Sequence, residues 1–108
     1  MVSENVLTET VDGLRDYELV LVISPQLDDE SFEATIDKYN RLITGKGGNI
    51  VDTQRWGKRR LAYPIKHFNE GNYVLLKFKM KPAFSREIEA NLRISEEVIR
   101  HLLVKMES

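Results

Sequence analysis

The chain has 108 residues, of which 42% are hydrophobic and 31% are charged, a composition typical of one folded domain with its own core. It contains no cysteine, which excludes a disulfide scaffold, a thiol nucleophile and a cysteine-ligated metal site. The formal net charge of −1 does not by itself indicate a polyanionic partner, and no apolar run approaches the ~18 residues of a membrane span.

The first 14 residues are polar and acidic. They include Glu4, Glu9 and Asp12 but no Lys or Arg, which is the opposite of a basic secretory or transit leader. We therefore expect a flexible acidic tail at residues 1–14, followed by a single domain at residues 15–108.

The segment from Arg15 to Ser24 alternates, and its second half is apolar on both faces, which predicts a central strand ended by Pro25. A helix is predicted from Asp28 to Thr44, with Gly45 as its stop, because apolar residues then recur at helical spacing. The apolar stripe of this helix consists of Phe32, Ile36, Tyr39 and Ile43.

A long β-hairpin is predicted next. Asn49–Ile65 is extended, and Gly57 predicts a bulge or bend within it. We expect a turn at His67–Gly71 and a second extended segment at Asn72–Lys81, where apolar residues alternate.

A second helix is predicted at Pro82–Ile94 and a last strand at Glu96–Met106. The resulting β-α-β-β-α-β order predicts an α+β, ferredoxin-like fold: a four-stranded antiparallel sheet with two helices on one face. The other face would remain open. We expect apolar residues such as Leu75, Ile99 and Leu103 on that face, which would then suit a docking partner.

Five of the 16 Lys and Arg residues lie between Arg55 and Lys66, and no acidic residue lies between Asp52 and Glu70. Such a run with interleaved aromatic residues indicates a polyanion, and arginine suits phosphate oxygens in particular. The alternative is a charged strand edge that only prevents edge-to-edge pairing. The candidate RNA-binding residues are Arg55, Lys58, Arg59, Arg60 and Lys66.

Catalysis has little support in the sequence. His67 and His101 fall in a turn and a strand without a nucleophile or acid in a recognisable arrangement, and no spacing indicates a metal site. We therefore expect neither an enzyme nor a cofactor.

Four segments resemble the sixth small-subunit ribosomal protein of bacteria and plastids. They are R-D-Y-E at 15–18, W-G-K-R-R-L-A-Y-P-I at 56–65, G-N-Y at 71–73 and L-R-I-S-E-E-V-I-R-H-L-L-V-K at 92–105. They occur in the family's order and span nearly all of the predicted domain.

The resemblance implies a ferredoxin-like fold and a structural role in the small ribosomal subunit, in bacterial cytoplasm or plastid stroma. It implies binding to the central domain of small-subunit rRNA together with the eighteenth small-subunit ribosomal protein, with no membrane and no small-molecule substrate. The residues that we expect at the protein partner are Trp56, Tyr63, Tyr17, Leu75 and Leu103.

A rival hypothesis from another class also fits an open sheet face. The chain would then be a self-associating ferredoxin-like module that regulates or binds a ligand. The basic run favours the ribosomal hypothesis, because a regulatory module does not need it.

Overall fold

Four strands and two helices make up the computed structural model, which describes residues 13–106. The predicted β-α-β-β-α-β order is confirmed. The elements are β1 (Arg15–Ile23), α1 (Asp29–Gly45), β2 (Asn49–Ile65), β3 (Phe68–Met80), a short 3-10 helix (Pro82–Phe84), α2 (Ser85–Ile94) and β4 (Val98–Lys105). The predicted acidic tail lies outside the described residues, except for Gly13 and Leu14.

The strands form one antiparallel sheet in the order β2-β3-β1-β4. The predicted central position of β1 is confirmed, since it pairs with β3 on one side and β4 on the other. β2 and β4 are the two edges.

One face of the sheet is covered by both helices. Alternate residues of β1 and β3, among them Leu19 and Leu76, are fully buried there, and Tyr17 stacks on Phe78 with ring centroids 5.7 Å apart. The helices contribute Ile36, Tyr39, Ile43, Ile88 and Leu92 to this core. Each large side chain buried in this way stabilises the fold by about 1.5–3 kcal/mol relative to an exposed one.

The ends of α1 follow local rules. Asp28 caps its start by accepting a hydrogen bond from the Ser31 amide at 2.8 Å, and this interaction lowers the pKa of Asp28. The helix ends at Gly45 as predicted. The turn beyond it uses Gly47, whose φ is +85°, and Gly48, whose amide donates to the Ile43 carbonyl at 3.0 Å.

The predicted turn at His67–Gly71 is wrong. The turn consists of Lys66 and His67, both with positive φ (48° and 71°), and Phe68 already belongs to β3. A two-residue turn with both residues left-handed matches the twist of an antiparallel hairpin, and glycine usually marks it. The bend expected at Gly57 is confirmed: its φ is +90°, and Trp56 is the extra residue of a β-bulge.

A bulge also lies in β4. Ile23 pairs with Val98, but the preceding residue of β1, Val22, pairs with Arg100. One residue of β4, Ile99, is therefore left without a partner in β1, and the alternation of β4 reverses from that point.

This bulge overturns part of the predicted partner surface. Leu103 pairs with Leu19 and packs against the main core on the helix side, whereas Leu102 and Val104 lie on the open face. Tyr17 is only 4% exposed and also belongs to the main core. The placement of Tyr17 and Leu103 on an open, partner-facing surface is therefore wrong.

Candidate nucleic-acid interface

The β2–β3 hairpin extends beyond the rest of the sheet. The strand β1 ends at Ile23, which pairs with Asn72, so the hairpin segment at residues 57–71, apart from Gly57 and Lys58 at its base, extends past the end of β1. We call this segment the hairpin arm. It contributes to an elongated molecule with principal extents of 54 × 25 × 22 Å.

Apolar residues hold the arm against the sheet. Leu61 forms a second small core with Val22 and Ile99, on the face away from the helices. Gly71 allows this close packing, since a Cβ there would overlap Cγ1 of Val22. Ile65 also packs against this cluster, so one end of the open face is covered by the chain's own arm.

Tyr63 adds a polar tether. Its side chain is 58% exposed, and its hydroxyl accepts a hydrogen bond from Nη1 of Arg100 at 3.0 Å. Arg100 was missed among the candidate site residues, because it lies 37 positions away and outside the basic run. Its place within the segment that resembles the ribosomal family was the only signal that pointed to it.

Arg55 differs from the other four basic candidates. Its guanidinium donates two hydrogen bonds to the carboxylate of Glu33 on α1, at 2.8 and 2.7 Å. This bidentate pair lowers the pKa of Glu33 and raises the pKa of Arg55. Arg55 is therefore engaged with the body of the fold at the base of the arm.

The remaining basic candidates lie on the arm and are exposed. Lys58 and Arg60 flank Glu70 on the side of the helices, with the ammonium of Lys58 3.9 Å from that carboxylate. Arg59 pairs with Gly71 and lies on the opposite side, and Lys66 is in the turn. The arm thus presents cations from both of its sides and from its tip.

Trp56 marks the base of the arm. The bulge places its indole beside Gln54, whose side-chain oxygen accepts from Nε1 at 3.0 Å. The guanidinium carbon of Arg59 lies 5.7 Å from the ring centroid, within cation–π range. With 41% of its surface exposed, Trp56 is available to a partner.

The rest of the open face has two parts. Towards the arm it is apolar: Val20 pairs with Leu75 in β3 and with Leu102 in β4, and Leu102 is 59% exposed. Val104, which is 40% exposed, pairs with Glu18 at the start of the charged end. A depression of about 200 Å³ lies here, partly lined by Val20, Leu102 and Arg100. Leu75 is on this face as expected, although it is only 6% exposed.

At the other end, the open face carries charged pairs across β1 and β3. Lys77 lies 3.9 Å from Glu18, and Lys79 lies 3.8 Å from Asp16. These pairs match the strand register, in which Glu18 is opposite Lys77 and Asp16 opposite Lys79. This end is therefore already neutralised within the chain.

Nothing in the described part of the chain resembles a catalytic or metal centre. Residues 13–106 contain no group of three or more potential metal ligands, and none of their helices is long and apolar enough to span a membrane. His67 is exposed in the hairpin turn, while Nε2 of His101 lies 2.7 Å from Oε1 of Glu89. The two histidines are in separate places and do not form one site.

Comparison with known protein families shows which family this chain belongs to. The family model described as Ribosomal protein S6 matches residues 16–105. The chain belongs to the ribosomal protein S6 family. The match covers the whole sheet, both helices and the hairpin arm.

Individual relatives agree with the family match. The small ribosomal subunit protein bS6 of Moorella thermoacetica is 44% identical over 94 residues, covering 87% of this chain and 96% of that protein. The bS6 protein of Dehalococcoides mccartyi strain 195 is 42% identical over 107 residues, covering 99% and 98%. The crystal structure of ribosomal protein S6 from Thermotoga maritima superposes with a TM-score of 0.82 at 31% identity, covering 86% of this chain and 88% of that one.

Membership in the S6 family confirms several predictions. The fold is ferredoxin-like, and the chain is a structural ribosomal protein and not an enzyme. The predicted location on the ribosome is confirmed, and the relatives named above are bacterial.

Proposed function

We propose that this S6-family chain binds the central domain of small-subunit rRNA jointly with the eighteenth small-subunit ribosomal protein. The single observation that carries the proposal is the hairpin arm, which holds exposed cations beside an apolar open face. The two partners themselves are those that the family resemblance implies.

The RNA contact is assigned to the arm. Arg59, Arg60 and Lys66 make no ion pair with any described residue, and the contact of Lys58 with Glu70 is long at 3.9 Å. Their charges are therefore available to phosphate oxygens, and arginine can also stack on a base. Arg55, one of the candidate RNA-binding residues, is instead hydrogen-bonded to Glu33 and fixes the base of the arm.

The protein contact is assigned to the apolar part of the open face. Leu102 is exposed and lines the depression, and the exposed Val104 is the next open-face residue of β4. From the arm, Tyr63 hydrogen-bonds Arg100 at the depression, and Trp56 contacts Gln54, which pairs with Leu75. Arg100 lies at the rim of the depression. An apolar centre with aromatic residues and arginine at its edge is typical of a protein interface.

The charge balance supports joint binding. The net charge of −1 gives the isolated chain no long-range attraction to RNA, so the arm contributes only a local contact. A basic partner on the open face would add phosphate contacts on the same complex. We therefore expect weak binding to rRNA by the chain alone and much tighter binding in the presence of the partner.

The proposal is tested by replacing Arg59 and Arg60 with Ala and measuring co-sedimentation with small-subunit rRNA, with the partner present, over a series of salt concentrations. Because two phosphate contacts are lost, the slope of log affinity against log salt concentration should become shallower by about 1.5. The matched control is Lys38→Ala/Arg41→Ala, which removes the same charge from the exposed outer side of α1. An Arg59/Arg60 variant with the wild-type salt dependence would contradict the RNA contact on the arm.

The same samples test the rival hypothesis of self-association. Sedimentation of the isolated chain as a monomer supports an open face kept for another protein. A stable dimer that does not bind rRNA would favour the regulatory module.

A further inference from the structure

A groove lies away from the hairpin arm, between α2 and β4. It has a volume of about 600 Å³, and its floor includes Tyr17 and Leu103. Three cations line it: Arg86, Arg93 and Lys105. The function proposed above does not use this groove.

Among residues 13–106, the cations of the groove are not paired with carboxylates. Within residues 13–106, six other Lys and Arg residues make ion pairs, whereas Arg86, Arg93 and Lys105 make none. The only carboxylate lining the groove belongs to Glu89, and its Oε1 is engaged at 2.7 Å by Nε2 of His101. Three cations thus surround a concave surface that holds one carboxylate.

The backbone holds these cations in fixed relative positions. Arg86 and Arg93 are seven residues apart on α2, which places them on one side of the helix, about 10 Å apart along its axis. Lys105 approaches from β4, where it pairs with Tyr17. A polyanion with regularly spaced charges can contact cations spread along the groove in this way.

We propose that this groove is a second binding site for the phosphate backbone of RNA. The inference rests on the proposed function, since it assigns a further contact to the same rRNA. The groove and the hairpin turn are at opposite ends of the sheet, roughly 30 Å apart at ~3.3 Å per strand residue. They therefore contact different segments of the RNA, and the chain fixes the distance between those segments.

The test compares two double variants that remove equal charge and keep their side-chain stems: Arg86→Gln/Arg93→Gln in the groove and Lys38→Gln/Arg41→Gln on α1. Binding to small-subunit rRNA is measured with the eighteenth small-subunit protein present, by salt titration and by hydroxyl-radical footprinting. The groove variant should bind the rRNA roughly tenfold more weakly, and its slope of log affinity against log salt concentration should be shallower by about 1.5. The control variant should keep the wild-type affinity and slope. The groove variant should also lose protection of a set of nucleotides that Arg59→Ala/Arg60→Ala leaves protected.

Several outcomes overturn the inference. One is that the groove variant has the same salt slope and the same footprint as the control variant. Another is that the groove variant no longer binds the protein partner when RNA is absent. Urea unfolding midpoints equal to that of the wild type for both variants exclude a folding defect. Lys105→Gln in the wild-type background provides an independent check from β4. If wild-type protein and partner together fail to bind the rRNA, the proposed function itself is wrong.

Discussion

The two faces of the sheet are built from the same alternating strands but differ in how far their side chains are buried. On the helix side, residues such as Leu19, Leu76 and Phe78 are at most 1% exposed. On the open side, the end beneath the hairpin arm is covered and Leu75 is buried, but Leu102 and Val104 remain 59% and 40% exposed. Alternation therefore places apolar residues on both faces, but the helices provide a core for only one, and the proposed function assigns the other to a protein partner.

The largest difference between the faces should appear in stability. Leu76→Ala removes a fully buried side chain from the helix-covered face and should lower the free energy of unfolding by about 2–5 kcal/mol. Leu102→Ala is the same chemical change on the open face and should cost less than about 1 kcal/mol, because that side chain is mostly exposed. Urea unfolding of both variants measures the contrast, and equal losses would show that the open face is packed in solution.

The small core beneath the arm gives the next largest effect. Gly71→Ala places a Cβ against Cγ1 of Val22, so the arm must shift, and the fold should lose about 1–3 kcal/mol. Gly45→Ala is the matched control: no atom lies within 4 Å of the added Cβ in α1, so stability should be unchanged or slightly higher. If Gly71→Ala unfolds at the wild-type urea concentration, the arm is not held by this contact.

The smallest effect concerns the base of the arm. Glu33→Gln should cost no more than about 1 kcal/mol at pH 7, because the side chains of Glu33 and Arg55 are about half exposed. Since the pKa of Glu33 is depressed below its ordinary 4.5, the contribution of the pair is present above that pH and is lost as the pH falls through the folded-state value.

Urea unfolding at pH 7 and at successively lower pH values provides the measurement. The difference between wild type and Glu33→Gln should shrink as the pH falls below 4.5. A difference that stays constant, or grows, as the solution is acidified would contradict the assigned ion pair.

Much of this architecture was predictable because it depends on local patterns. The two-residue period of β1 and β3 identified the helix-covered face, and the basic run with Gly57 identified a bent, cationic hairpin. The turn was misplaced because Lys66 and His67 adopt positive φ without the glycine or asparagine that usually marks such a turn.

Long-range features were not predictable from those patterns. The bulge in β4 has no signature of its own, yet it exchanges the faces of Leu102 and Leu103. The pair between Glu33 and Arg55 joins residues 22 positions apart, so the run of positive charge gave no sign that one member was engaged. The alternation of apolar residues identified the strands, whereas the side chains that lie on the open face depend on the register between strands.

The most direct test separates the contribution of the open face from that of the hairpin arm in one binding measurement. Affinity for small-subunit rRNA is measured with and without the eighteenth small-subunit protein, for wild type, Leu102→Asp and Arg59→Ala/Arg60→Ala. The account predicts that Leu102→Asp abolishes the gain in affinity that the partner provides, yet keeps the weak binding and salt slope of the chain alone. A Leu102→Asp variant that retains the full partner-dependent gain would contradict an open face completed by that protein.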